Sequence, residues 1–368
     1  MRNLKKTAIL LFLLFALLCT LCTAAYSYSA PAVSARAAVL YEPSSSLFVY
    51  EKLADERLPM ASTTKIMTAL VAIEKGDLDA YVRIAPEAVG TEGSSMYLAA
   101  DEEMTLRDLV YGLMLRSAND AAVAIAYAVA QDTDTFATLM NEKAAELGLT
   151  NTHFTNPHGL DDKEHYTTAR ELALLSAAAL DNEEFRTICK TKRYTVKNTE
   201  GTSRLLTNHN KLLSLYDGAI GVKTGFTKRS GRCLVGAAQK DGITLISVTI
   251  DAPDDWNDHK KMLDEGFSLL ESRVLAKSGE ISYKLPVLDK SISYIEVKNT
   301  SVISAVIPKE GADISYTVEL PRTLVAPIRK GDVIGKVTYR IDNKVIATAS
   351  LVATQDALPQ RRGILSLF

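Results

Sequence analysis

Residues 60–70, MASTTKIMTAL, place Ser62 and Lys65 one helical turn apart at the start of a segment with helical apolar periodicity. Side chains three residues apart share a helix face, so the Lys65 amine can reach the Ser62 hydroxyl. A serine hydroxyl is a weak nucleophile until a base takes its proton, and Lys65 can be that base only if burial or a second cation lowers its pKa. The pattern alone is weak evidence, because serine is also a good helix N-cap.

Two later motifs supply the missing parts. Ser117-Ala118-Asn119 lies between two predicted helices, where a loop could enter a cleft, and Lys223-Thr224-Gly225 lies in the predicted strand AIGVKTGFT. Lys223 offers the second cation, and a glycine in a strand lets a ligand backbone approach closely. Lys-Thr-Gly is expected by chance in only about one chain in ten. The three motifs in this order indicate one active site.

Alternation and periodicity along the chain predict two domains. The predicted elements are, in chain order, strands within 37–52, a helix over 62–76, mostly helix over 100–185, strands after Tyr194 and a helix over 255–273. This order is typical of an α/β domain with an inserted helical subdomain. Beyond about Leu275, short alternating runs separated by turn residues predict a small antiparallel β domain. These runs are ISYKLPVL, SYIEVKN, ISYTVEL, DVIGKVTYRI and KVIATASLVA.

Composition and charge exclude several classes of protein. A hydrophobic content of 47% and a net charge of −2 describe a folded protein without the basic excess of a nucleic-acid binder. The sequence has no paired Cys-x-x-Cys motifs and no His-Glu-x-x-His pattern, so we expect no metal and no cofactor. Cys189 and Cys233 are interpreted as two separate buried thiols, because two cysteines do not make a disulfide framework.

The N-terminus has the pattern of an export signal. Arg2, Lys5 and Lys6 precede an uncharged run and the small residues before Ala25, so residues 1–25 are predicted to be a secretory signal peptide that is removed. An uncleaved membrane anchor is the alternative, but the apolar run is short for a span.

The three motifs, with GSSMYL, YGLMLRSANDAA, TNPHGL, HYTTARELA and GVKTGFT around them, resemble the serine-type D-alanyl-D-alanine carboxypeptidases, the low-molecular-mass penicillin-binding proteins. The resemblance covers about residues 30–273, and residues 275–355 are similar to the C-terminal domain of that family. It implies an α/β fold of the DD-peptidase/β-lactamase type, with an antiparallel sheet flanked by helices and a helical subdomain, followed by a small all-β domain.

The resemblance also implies a role for each motif residue. Ser62 would attack the carbonyl between two D-alanines, Lys65 would accept its proton, and Ser117 would pass a proton to the leaving D-alanine. The N–H groups of Ser62 and Phe226 would hold the oxyanion. Asn119 would bind the acyl side, and Lys223 and Thr224 would hold the terminal carboxylate. Gly225, also a substrate-binding residue, would let the ligand backbone approach closely.

The same resemblance implies the partners and the location. The substrate would be a peptidoglycan stem peptide that ends in D-Ala-D-Ala, and β-lactam antibiotics would be covalent inhibitors of this enzyme of cell-wall biogenesis. The tail, residues 356–368, has Arg361 and Arg362 before an apolar end. It is either a weak amphipathic anchor on the outer face of the cytoplasmic membrane or a frayed terminus.

Two rival functions are weighed against the carboxypeptidase. A class A-like β-lactamase would need Ser-Asp-Asn and a loop glutamate, whereas the middle residue here is Ala118. A non-catalytic penicillin-binding sensor is expected to have lost a catalytic position, and no motif is broken.

The sequence departs from the family at one position. Some members carry an arginine after the strand that follows the Lys-Thr-Gly hairpin. The sequence there, TIDAPDDWNDH, has none, so we expect Lys223 and Thr224 to hold the substrate carboxylate, and Arg229, at the hairpin turn, to lie too far away.

Overall fold

The computed structural model describes residues 31–288 and 292–358. The predicted signal peptide and residues 359–368 of the predicted tail lie outside these ranges.

The helices are α1 (Lys65–Lys75), α2 (Leu106–Arg116), α3 (Asn119–Ala130), α4 (Thr133–Glu146), α5 (Ala169–Asp181), α6 (Glu183–Lys190), α7 (Leu212–Leu215) and α8 (Asp255–Leu269). The strands of the first domain are β1 (Ala37–Glu42), β2 (Leu47–Lys52), β3 (Tyr81–Arg83), β4 (Glu103–Thr105), β5 (Arg193–Lys197), β6 (Ser203–Thr207), β7 (Ala219–Thr227), β8 (Gly231–Lys240) and β9 (Ile243–Ile250).

A five-stranded antiparallel sheet in the order β2-β1-β9-β8-β7 forms the centre of the first domain. Helix α8 covers one face, and α5 with the helical subdomain packs against the other. Strand β7, which carries Lys-Thr-Gly, is the edge strand on the side of the helical subdomain. An edge strand leaves one row of backbone N–H and C=O groups unpaired, so an extended ligand can pair with β7. The predicted sheet, flanking helices and helical subdomain are confirmed.

The C-terminal domain is all-β, as predicted. Its strands are β10 (Leu270–Ala276), β11 (Ser282–Pro286), β12 (Tyr294–Lys298), β13 (Ile303–Pro308), β14 (Ile314–Glu319), β15 (Val333–Ile341) and β16 (Lys344–Ala353). Five of them form a sheet in the order β11-β12-β16-β15-β14, with a hydrophobic core of its own, and β10 pairs with β13. Ala357, which falls within the predicted tail, belongs to this domain, because its backbone exchanges hydrogen bonds with Ile328.

The last helix of the first domain is shorter than predicted. It ends at Leu269, and residues Leu270–Arg273 continue instead as the start of β10. The register pairs Leu270 with Pro308 and Arg273 with Ala305, so a partner more than thirty residues away decides the conformation. Local periodicity cannot show such a partner. Of the helices in the described ranges, none combines the length and apolar character needed to cross a membrane.

Candidate active site

Ser62 lies in a 3₁₀ turn, Ala61–Thr64, that leads directly into α1. Ala61, just before it, has φ of 47°, a left-handed backbone conformation that costs an alanine free energy and therefore marks a constrained site. Lys65 begins the α-helix, and its Nζ lies 3.0 Å from Ser62 Oγ. The serine hydroxyl and the lysine amine are thus in hydrogen-bond contact.

The amine of Lys65 is fully buried. It donates hydrogen bonds to Asn119 Oδ1 at 2.6 Å and to the His158 carbonyl at 2.5 Å. Burial, and then the nearby charge of Lys223, hold the pKa of Lys65 well below its usual value. A lowered pKa increases the neutral fraction of Lys65, and the neutral amine is the form that can accept a proton from Ser62.

Strand β7 brings the third motif to the same place. Lys223 is buried, its Nζ donates to the Thr224 carbonyl at 2.8 Å, and burial lowers its pKa to about 7. Gly225 lies against the serine turn: a Cβ there would be 3.0 Å from the backbone nitrogen of Ser62. A side chain at this position would require the serine turn to shift by a few tenths of an ångström, so glycine favours the close approach of the strand to Ser62. Phe226, the next residue, is 65% exposed and forms the outer rim.

Ser117 and Asn119 come from the junction of α2 and α3. Ser117 ends α2 with φ of 58° and is buried, while Asn119 is the first residue of α3. The Asn119 side chain donates to the Glu92 carbonyl at 2.5 Å and its backbone N–H donates to the Ser94 carbonyl at 2.7 Å. These bonds leave the Asn119 Oδ1 directed at Lys65. The structure therefore brings Asn119 into contact with the predicted base.

A loop outside the three motifs completes the surroundings of Lys65. The Asn156 side chain accepts from the N–H groups of His158 and Gly159 and so shapes the turn. Thr68 Oγ1 donates to the Pro157 carbonyl at 2.6 Å, which attaches the turn to α1. His158 acts through its backbone carbonyl, whereas burial and Lys65 lower the pKa of its imidazole to about 3. The segment TNPHGL contains this loop, but no residue type in it shows that a carbonyl will face Lys65.

Both domains match known families. Residues 24–254 match the family described as D-alanyl-D-alanine carboxypeptidase, and residues 270–357 match the family described as penicillin-binding protein 5, C-terminal domain. In the described residues, no group of three His, Cys, Asp or Glu side chains is arranged to hold a metal ion.

Similar proteins span nearly the whole chain. The D-alanyl-D-alanine carboxypeptidase DacF of Bacillus subtilis is 34% identical over 333 residues, covering 88% of this chain and 85% of the relative. DacC of Escherichia coli is 34% identical over 346 residues, covering 89% and 85%. Penicillin-binding protein 5 from Haemophilus influenzae superposes with a TM-score of 0.72 at 30% identity, over 90% of this chain and 99% of that structure. The Streptomyces K15 DD-transpeptidase superposes with a TM-score of 0.62 at 36% identity, over 66% and 100%.

Proposed function

This chain belongs to the D-alanyl-D-alanine carboxypeptidase family and is a serine-type D-Ala-D-Ala carboxypeptidase, and we propose that Ser62 is its nucleophile and Lys65 its general base. The observation that carries the assignment is the 3.0 Å contact between Lys65 Nζ and Ser62 Oγ, with the amine fully buried beside a second lysine. In the described residues, Lys65 is the lysine that combines a lowered pKa with a hydrogen bond to a serine hydroxyl.

The chemistry proceeds in two steps. Ser62 Oγ attacks the carbonyl of the penultimate D-alanine while its proton moves to Lys65 Nζ, and the Ser62 and Phe226 N–H groups stabilise the oxyanion. The C–N bond then breaks, and the terminal D-alanine leaves with a proton delivered through Ser117. Water hydrolyses the resulting ester and restores Ser62.

The rest of the site holds the substrate. Asn119 binds the acyl side, Gly225 allows the peptide backbone to pair with β7, and Lys223 with Thr224 binds the terminal carboxylate. A β-lactam has the same reactive elements, a strained amide carbonyl and a carboxylate, and would acylate Ser62 in the same way. The proposed natural substrate is therefore the D-Ala-D-Ala end of a peptidoglycan stem peptide.

Covalent labelling tests the nucleophile. We expect a labelled penicillin to attach to Ser62, located by peptide mapping, and Ser62→Ala to lose both the label and the hydrolysis of a D-Ala-D-Ala peptide. Arg57→Ala, which changes an exposed arginine bonded to Asn151, is the matched control and should keep both. Labelling that persists in Ser62→Ala would disprove the assignment.

The lifetime of the penicillin adduct separates this function from a β-lactamase. Within the described residues, the hydrogen-bond partners of Ser62 and Lys65 include no carboxylate that could activate a deacylating water. We therefore expect a long-lived acyl-enzyme, observed as a stable mass increase of the intact protein. Rapid multiple turnover of penicillin would instead support the β-lactamase alternative.

The proposed location is the outer face of the cytoplasmic membrane. The protein would reach it by export, with residues 1–25 cleaved as the signal peptide. The cationic and apolar tail would add weak membrane contact. Removal of residues 359–368 spares Ala357 and its pairing with Ile328, so it tests the tail without damage to the domain. Equal partitioning of the shortened and full mature forms with anionic vesicles would show that the tail is no anchor.

A further inference from the structure

The substrate carboxylate has no arginine where some relatives supply one. The segment that follows β9, Asp251–Asp258, contains acids and no arginine. Lys223 and Thr224 remain. Lys223 contributes one ammonium, and its pairing with Val235 places it on the face of the sheet that carries the main core. A planar guanidinium fits a carboxylate better than an ammonium does, because it can donate two parallel hydrogen bonds. An arginine elsewhere on the sheet could supply that geometry.

The register of β7 and β8 identifies a candidate. Thr224 pairs with Leu234 and Phe226 pairs with Arg232. Residues opposite each other in an antiparallel ladder share a face, and so do residues two apart along a strand, so Arg232 lies on the Thr224 face. Arg232 is the diagonal cross-strand neighbour of Thr224, and a side chain as long as that of arginine can span this separation.

A buried acid on the covering helix holds the Arg232 side chain. The guanidinium donates to Asp255 Oδ1 at 3.0 Å, and Asp255, the first residue of α8, is 5% exposed in its side chain against 44% for Arg232. Asp255 Oδ1 also accepts the Trp256 N–H, so its position is determined by the helix. Within the described chain, the other guanidinium N–H groups of Arg232 have no protein acceptor. They remain available to an anion.

A ligand paired with the edge of β7 would have groups from both faces of the sheet beside it. Lys223 lies on the face toward Ser62, whereas Thr224 and Arg232 lie on the face that α8 covers, where His259 bonds to Thr249. A peptide that pairs with the free edge of β7 would place its terminal carboxylate between these groups. We propose that Arg232, oriented by Asp255, binds the terminal carboxylate of the substrate together with Lys223 and Thr224, and so replaces the arginine that is absent after β9.

A pair of substrates tests the proposal, which rests on acylation of Ser62. One peptide ends in D-Ala-D-Ala with a free carboxylate, and the other is the same peptide as its C-terminal amide. Loss of a charge-assisted hydrogen bond lowers kcat/KM roughly 10- to 150-fold. We expect Arg232→Gln to show this loss on the acid and little change on the amide. A loss on the acid no larger than that on the amide would overturn the proposal.

A second variant separates substrate binding from structural support. Arg232→Gln leaves the buried Asp255 without its partner, so the double variant Arg232→Gln/Asp255→Asn removes both charges. If Arg232 binds substrate, the double variant stays as low on the acid as the single one. If Arg232 only neutralises Asp255, Asp255→Asn restores the activity, and the proposal is wrong.

Two controls complete the experiment. Arg229, in the same hairpin, donates to the Asp162 carbonyl, and Arg229→Gln should show no selective loss on the acid. Ser62→Ala in the same assay separates the role of the nucleophile from that of the carboxylate site. Turnover that survives in Ser62→Ala would refute the nucleophile, whereas inactive Ser62→Ala with unselective Arg232→Gln would refute only the role of Arg232.

Discussion

Lys65 and Lys223 lie near each other in the interior, and neither amine is hydrogen-bonded to a carboxylate in the described residues. Burial of cations without an ionic partner opposes folding, because the protein interior solvates them less well than water does. The proposed roles account for this arrangement, since a neutral Lys65 would act as the base while Lys223 would attract the substrate anion. On this proposal, the two buried lysines lower the stability of the fold in return for function.

Replacing Lys223 tests whether its burial lowers the stability of the fold. Unfolded lysine keeps its proton up to about pH 10.5, whereas folded Lys223 releases it near pH 7. Between these values the unfolded state binds more protons, so wild-type stability rises with pH; below pH 7 the full burial penalty is present. Lys223→Met should thus abolish activity but raise Tm, and by more at pH 6 than at pH 10. Lys228→Met, on the exposed hairpin, should leave Tm nearly unchanged, and an equal gain at both pH values for Lys223→Met would contradict the expected burial penalty.

Among the elements, the turn of residues 156–160 contacts both the proposed base, Lys65, and the segment that precedes the proposed nucleophile, Ser62. Its Gly159 has φ of +85°, and a Cβ there would lie 2.0 Å from the carbonyl oxygen of Ala61. Ala61 directly precedes Ser62, and the His158 carbonyl accepts a hydrogen bond from Lys65. A shift of either segment would therefore change the geometry of the Ser62–Lys65 pair.

Two glycine variants isolate this contact. Gly159→Ala should slow acylation of Ser62 by penicillin more than about tenfold, an increase in barrier of ~1.4 kcal/mol. Gly148 has a similar φ of +72°, but a Cβ added there would meet nothing within 4 Å, so Gly148→Ala carries only the backbone cost of about 1–2 kcal/mol. It should lower Tm and leave the acylation rate constant unchanged. Similar acylation rates in the two variants would show that the close approach to Ala61 is unimportant.

At the scale of the whole molecule, the two domains have separate hydrophobic cores but contact each other through β13. Val306 of β13 packs into the core between the sheet and α8, and its carbonyl accepts from Ser45 Oγ. All residues of the three motifs lie in the first domain, before β10 begins at Leu270. The C-terminal domain is therefore expected to support the first domain rather than take part in its chemistry.

A shortened chain tests that division. A form that ends at Leu270 keeps all motif residues and loses the Val306 contacts. Its rate constant for acylation by penicillin should stay within about threefold of the full chain, because contacts far from the site change its energetics little. Its Tm should fall, and so should that of Val306→Ala in the full chain, to a smaller extent. Loss of labelling in a shortened form that still unfolds cooperatively would show that the second domain shapes the site.

The amino-acid sequence by itself determined the features that are local. Periodicity identified the helix after Ser62, the helical block and the strand of Lys223, and the three motifs indicated the chemistry, because residue types and short spacings carry that information. It also predicted most C-terminal strands, whose alternation is clear. It missed β13, the strand that pairs with β10, and it extended α8 to Arg273, because both errors concern segments whose conformation depends on a distant partner.

Only the tertiary structure decided which groups surround the reacting atoms. A backbone carbonyl such as that of His158 has no signature in sequence, and the direction of Asn119 Oδ1 depends on Glu92 and Ser94. The same holds for Arg232, which stands apart from the motifs until the β7–β8 register places it on the face of Thr224. The physical reason is that pKa values, orientation and charge complementarity arise from contacts between segments far apart in the chain, and folding alone creates those contacts.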